Sequence, residues 1–140
     1  MKEAVLAFLQ GRNPKVCVLA TASLQGKTEA ALVGFAIKDN LTIIVNTEQA
    51  SRKYKNIEKN PNVSLVIGWG FTENNVQIDA LAKVIHDPKE IEQTEHFFYQ
   101  QNPDAKQFKT ETTTFIELKP TWLRLIDISK HPPEMKEEAI

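Results

Sequence analysis

Apolar positions change their period several times along this chain, and each change marks an element. Over residues 2–10, Val5, Leu6, Phe8 and Leu9 recur at spacings of three and four, the stripe of a short amphipathic helix, and Gly11, Asn13 and Pro14 stop it. Lys15–Ala22 (KVCVLATA) is rich in β-branched residues and predicts a strand. Ser23–Lys27 then turns the chain, with Gly26 at a position that needs unusual dihedrals, into a second strand over Thr28–Ile37. Lys38-Asp39-Asn40 leads to a third strand, Leu41–Asn46, completing an antiparallel meander.

Ala50–Asn60 breaks this rhythm. Tyr54 and Ile57 stand three apart among charges, a short helix that ends at Asn60-Pro61, where the residue before proline disfavours helical dihedrals. Asn62–Trp69 is a fourth strand. After a turn over Gly70–Asn75, Val76–Ile85 alternates apolar Val76, Ile78, Ala80, Ala82 and Val84 with Gln77, Asp79 and Lys83, the clearest period-two segment here. A helix is predicted from Pro88 to about Gln101, with Asp87 as N-cap, Pro88 at the first helical position and Glu90 placed for a capping box. Thr112–Leu118 and Thr121–Ile128 read as one long strand or two, bent at Pro120. The predicted organisation is one domain over residues 1–130 and a flexible tail over 131–140. So many strands in so short a chain predict a mainly β fold with short helices, closed or nearly closed into an antiparallel barrel.

Composition narrows the function classes. The chain has 140 residues, 41% hydrophobic and 25% charged, with net charge −1, ordinary values that give no broad pull toward nucleic acid or anionic membrane. No apolar run reaches the roughly 18–20 residues that cross a bilayer, and the N-terminus lacks a signal-peptide pattern, so a cytoplasmic protein is expected. One cysteine excludes an internal disulfide.

Most candidate chemistry is weak. His86, His96, His131 and Cys17 have no metal-ligand spacing, so no protein-ligated metal is expected. Ser23, Ser51, Ser64 and Ser129 lie in no nucleophile elbow, and Cys17 has no cation beside it. The common phosphate-loop patterns are absent. One segment stands out, Asn46-Thr47-Glu48-Gln49-Ala50-Ser51-Arg52-Lys53, where a strand ends, a polar turn follows and a helix begins with adjacent cations. The first amides of a helix are unpaired and attract an anion. Thr47 and Ser51 add hydroxyls, Arg52 can fork onto phosphate oxygens, and Lys53 adds a point charge. The competing reading is a solvated basic helix capped by Thr47 or Ser51, with Lys55 and Lys59 favouring its C-terminal half.

Here Ile43–Pro61 (IIVNTEQASRKYKNIEKNP) resembles the flavin-binding stretch of the pyridoxamine-5′-phosphate-oxidase-like split barrels: a strand running into Thr47, then Ser51-Arg52-Lys53 at a helix start, then Asn60-Pro61. Leu19–Ser23 with Gly26 resembles that family's first hairpin, and the likeness extends over roughly Val16 to Ile85. It implies a six-stranded antiparallel split β-barrel of Greek-key type, a homodimer, and FMN at the subunit interface. It also implies that Asn46 and Thr47 contact the flavin or its phosphate, that Ser51, Arg52 and Lys53 hold the phosphate, and that backbone around Leu32, Val33 and Gly34 lies along the isoalloxazine. Gln77 corresponds to a polar side chain offered by the partner subunit, and Trp122 to an approach from the C-terminal strand. Two departures matter. The strand Glu29–Phe35 carries no cation where pyridoxamine phosphate oxidases proper have an Arg and a Lys, and Arg124 is followed by Leu125-Ile126 rather than completing an Arg-x-His element. The resemblance therefore implies a general FMN-dependent oxidoreductase rather than the vitamin B6 enzyme. Its catalytic residues and its small-molecule substrate are not specified. The alternatives are a non-catalytic module that binds flavin or haem, with His86 or His96 as candidate axial ligand, or a deazaflavin-dependent reductase.

Overall fold

The computed structural model describes residues 1–140. The elements are α1 (Lys2–Gln10), β1 (Val16–Ala22), β2 (Thr28–Ile37), β3 (Ile43–Glu48), α2 (Arg52–Lys59), β4 (Asn62–Ile67), β5 (Asn75–Val84), α3 (Pro88–Gln101), a 3-10 turn over Pro103–Phe108, β6 (Thr113–Asp127) and β7 (Glu134–Ala139). The strands follow one another as β3-β2-β1-β4-β5-β6, and β6 returns to pair with β3, closing a six-stranded barrel. Every pairing is antiparallel. Closure removes the free edges that an open sheet would expose.

Period two decides what fills the interior. Cys17, Leu19, Val33, Phe35, Ile43, Val45, Ile78 and Leu123 point inward, joined by Val5 and Leu9 from α1 and Ile57 from α2. A second apolar cluster lies outside the wall, where Phe98 and Tyr99 of α3 pack on Ala36, Ile44, Ile85 and Phe115. Phe98, Tyr99 and Phe115 meet edge-on, with ring centroids 5.3–6.0 Å apart. Both faces of β3 are therefore covered, which is why its sequence reads as a continuous apolar run rather than an alternation. β2 outlasts β1, whose pairing begins at Val16–Gly34, so the β1-side backbone groups of Phe35 and Ile37 need other partners. Lys15 accepts from the Phe35 amide, Gln101 exchanges two 3.0 Å hydrogen bonds with Ile37, and Asn102 donates to the Phe35 carbonyl at 2.9 Å, tying the end of α3 to β2.

Several boundaries differ from the sequence expectation. β3 begins and ends two residues later than Leu41–Asn46. Leu41 takes a positive φ of 71° in the preceding turn, and pairing of Thr47 with Thr114 and Glu48 with Thr113 draws the polar end into the sheet. α2 begins at Arg52 because Ser51 is its N-cap. β6 is one strand through Pro120, with a bulge that skips Thr121 between the pairs Asp79–Trp122 and Ala80–Pro120. The largest correction concerns residues 131–140, expected as a flexible tail. They include β7, which pairs with the half of β6 that extends past β3. Nothing in the low β propensity of EMKEEA announces this. The available edge of β6 supplies the partner, and ion pairs Arg124–Glu137 and Lys130–Glu134 accompany it.

Candidate functional site

The end of β3, the start of α2 and the outer face of β2 enclose an open cleft of about 330 Å³. Leu32, Val33, Gly34, Asn46, Thr47, Ser51 and Lys53 all line it, seven of the ten residues expected at a cofactor site. Ser51 Oγ accepts from the Tyr54 amide at 3.2 Å, closing the first turn of α2. Thr47 Oγ1 lies 2.9 Å from the same oxygen, so strand end and helix start are joined through two hydroxyls. Of the two caps the sequence offered, Ser51 fills the role and Thr47 buttresses it. In the first helical turn the amides of Arg52 and Lys53 have no intrahelical acceptor.

The remaining three expected residues lie elsewhere. Arg52 does not line the cleft; its Nε is 3.2 Å from Glu29 Oε2 on β2. Gln77 and Trp122 share a different cavity of about 370 Å³, on the surface formed by β1, β4, β5 and β6 with Val18, Val66 and Asp79. One chain thus holds two separate surfaces; the resemblance had Gln77 offered by the partner subunit, not by the chain that holds the cleft.

Sequence reasoning missed three wall residues, Glu48, Phe108 and Thr113. Glu48 is held by the hydroxyls of Thr110, Thr112 and Thr113 at 2.8, 2.7 and 2.9 Å. Hydrogen bonds from Thr112 and Thr110, then Thr113, hold its carboxyl below the usual carboxylate range, so it is an anion at neutral pH. The run Thr110-Glu111-Thr112-Thr113-Thr114 carried that signal. Phe108, 74% exposed, gave none, because it ends a proline-led turn that has no apolar period. Behind the cleft, the Tyr99 hydroxyl is buried without a well-formed hydrogen bond. Burial pushes its phenol up, and the nearby Asn46 side chain opposes that.

These groups fit a phosphate-bearing aromatic ligand. Two hydroxyls, free helix amides and the Lys53 ammonium suit an anion. Leu32, 66% exposed, and Phe108 offer uncovered apolar surface to a planar ring. A volume of about 330 Å³ is near the lower bound of ligand pockets. Other chemistries fit less well. Cys17 is fully buried and its thiol is pushed up to about 12, which leaves no thiolate nucleophile. A groove of about 770 Å³ between α3 and the 3-10 turn includes His96, but its walls carry Lys89, Glu92, Glu95 and Lys106, poor company for a porphyrin face. His86 is exposed outside that groove. No helix is long and apolar enough to cross a membrane.

Comparison with known proteins shows the fold and the family. A pyridoxine/pyridoxamine 5′-phosphate oxidase of Rubrobacter xylanophilus is 35% identical over 81 residues, which are 58% of this chain and 36% of that protein. The chain thus spans little more than a third of that relative's length. Among solved structures, a pyridoxamine 5′-phosphate oxidase-related, FMN binding protein from Nostoc punctiforme superposes with a TM-score of 0.72 at 15% identity, covering 99% of this chain and 94% of that one. A heme binding protein from Mycobacterium smegmatis superposes with a TM-score of 0.76 at 15% identity, covering 96% and 56%. At these identities the two structures speak for the fold. The family profile described as pyridoxamine 5′-phosphate oxidase matches residues 1–127, which contain the whole six-stranded barrel and its candidate cleft, and the chain belongs to that family.

Proposed function

We propose that this protein binds FMN in the cleft between β2, β3 and α2 and is an oxidoreductase acting on a small molecule. The observation that carries the proposal is the convergence of Leu32, Val33, Gly34, Asn46, Thr47, Ser51 and Lys53 on one cleft. The Thr47 and Ser51 hydroxyls and the Lys53 ammonium hold the phosphate, while Leu32 and Phe108 shield the ring from water. Glu48, fixed by three threonine hydroxyls, presents a permanent negative charge and a pure acceptor at the rim. Bound FMN supplies the redox chemistry, and the protein supplies binding and orientation.

The enclosure is completed in a homodimer, where the surface carrying Gln77 and Trp122 in a second copy covers the cleft. Two features support this. The cleft is open and small for a flavin nucleotide, and the Gln77–Trp122 surface sets Gln77 and Asp79 among apolar Val18, Val66 and Trp122. Phosphate recognition without an Arg or Lys on β2 supports a general flavoprotein rather than the vitamin B6 oxidase.

The visible spectrum of the freshly purified protein, followed by FMN titration, tests the reading. A flavin spectrum or saturable micromolar binding is expected. A Soret band would replace FMN by haem. Absence of colour together with absence of FMN binding would leave a split barrel without the redox function.

A further inference from the structure

β2, which brings Leu32, Val33 and Gly34 to the cleft, begins with an acid. Glu29 lies on the same face of the strand as Val33 and Phe35, at the end of the barrel where α2 packs. Its side chain is 16% exposed, and Oε2 is shielded from water without accepting a hydrogen bond of good geometry. The one cation paired with it is Arg52, whose Nε is 3.2 Å away. A shielded carboxylate oxygen with no hydrogen-bond donor depends on that positive charge. Arg52 itself remains 67% exposed and stays outside the cleft, although it precedes Lys53, which lines it.

We propose that Glu29 restrains Arg52 and thereby limits both the affinity of the cleft for FMN and its preference for phosphorylated over unphosphorylated flavin. The inference rests on the FMN reading above and assigns a role to a residue outside the cleft wall. In the arrangement observed, Lys53 is the one cation free to meet a phosphate, and it shares the cleft with anionic Glu48. Arg52 can join only by giving up Glu29, which would leave the shielded carboxylate unpaired. The phosphate therefore competes with an internal anion for the better of the two cations, since the planar guanidinium forks onto phosphate and the ammonium does not. A site built this way releases its phosphorylated ligand readily. Exposure of Arg52 keeps the effect moderate, because a half-solvated ion pair is screened.

The test is titration of FMN and, separately, riboflavin into the wild-type protein, Glu29→Gln, Arg52→Ala and the double variant, with a thermal melt of each to verify folding. Glu29→Gln is expected to tighten FMN roughly threefold to tenfold, to leave riboflavin unchanged, and to lose its gain when Arg52 is also replaced. Glu29→Ala repeats the measurement without a side-chain amide in place of the carboxylate. Weaker FMN binding in Glu29→Gln would overturn the proposal, making Glu29 a support for Arg52. An equal gain for riboflavin, or a gain that survives Arg52→Ala, would overturn it too. Wild-type binding of FMN with no change in Glu29→Gln rejects the Glu29 role alone, whereas no binding by wild type or variant rejects the FMN reading and this inference together.

Discussion

The cleft beside α2 and the Gln77–Trp122 surface make an instructive pair. The first is assembled largely from a few residues near in sequence, Asn46 to Lys53, plus the middle of β2. Its geometry is dictated locally, by a strand end, a serine cap and a helix start. The second draws on four strands and has no hydroxyl pair, no helix terminus and no cation on its wall. One surface carries groups suited to an anion; the other offers apolar area with the Gln77 amide and an Asp79 carboxylate that accepts from Ser64. If they form one site, it is by facing each other across two copies of the chain.

The largest expected effect tests that union. Val66 is half-buried on β4 in the Gln77–Trp122 cavity, on the side away from the barrel core. Val66→Asp should leave the fold intact, give a monomer by light scattering, and weaken FMN binding about a hundredfold, as expected for burying an unpaired charge in an interface. An unchanged molecular mass and unchanged affinity would separate the two surfaces for good. Next, Lys53→Ala should weaken FMN about tenfold, roughly 1.4 kcal/mol, and riboflavin hardly at all, since a charge-assisted phosphate contact is lost. Arg52→Ala should weaken FMN by less than Lys53→Ala, because Glu29 already engages Arg52. The opposite order, measured by the same titrations, would show that Arg52 leaves Glu29 when ligand binds.

What the sequence disclosed follows the same division. Six strands, three helices and the caps Ser51 and Asp87 are local or periodic features, and the structure contains all of them. The cleft was legible because strand, hydroxyls and cations fall within eight residues of one another. Less legible features depend on distant partners. β7 exists because β6 extends past β3 and offers an edge. The Thr110–Thr113 clasp on Glu48 spans more than 60 residues of sequence. The Glu29–Arg52 pair joins a strand start to a helix start, and nothing in either local pattern requires it.

Smaller effects sharpen the comparison within the cleft itself. Ser51→Ala removes the acceptor for the Tyr54 amide and the partner of Thr47, so it should lower stability by about 1 kcal/mol and weaken FMN by a smaller factor than Lys53→Ala. Thermal melts with and without FMN would separate the two contributions. A loss of stability without any loss of affinity would make Ser51 a cap only.

The smallest effect is a pH dependence at the rim. Glu48 is held below the ordinary carboxylate range in the folded protein by Thr112, Thr110 and Thr113. A carboxyl with a depressed folded pKa binds fewer protons folded than unfolded as pH drops toward its unfolded value. Its contribution is therefore complete above the unfolded carboxylate range and is lost as pH falls through the lowered folded pKa. The melting temperature of wild type should exceed that of Glu48→Gln at neutral pH, and the gap should close on acidification below about pH 4.5. Solvent at the rim keeps the gap small. A gap that widens in acid would mean that the threonine clasp prefers the protonated carboxyl. Glu48 would then offer the cleft a donor rather than a fixed charge, and Asp79 on the Gln77–Trp122 surface would be the one carboxylate charge left on the two walls.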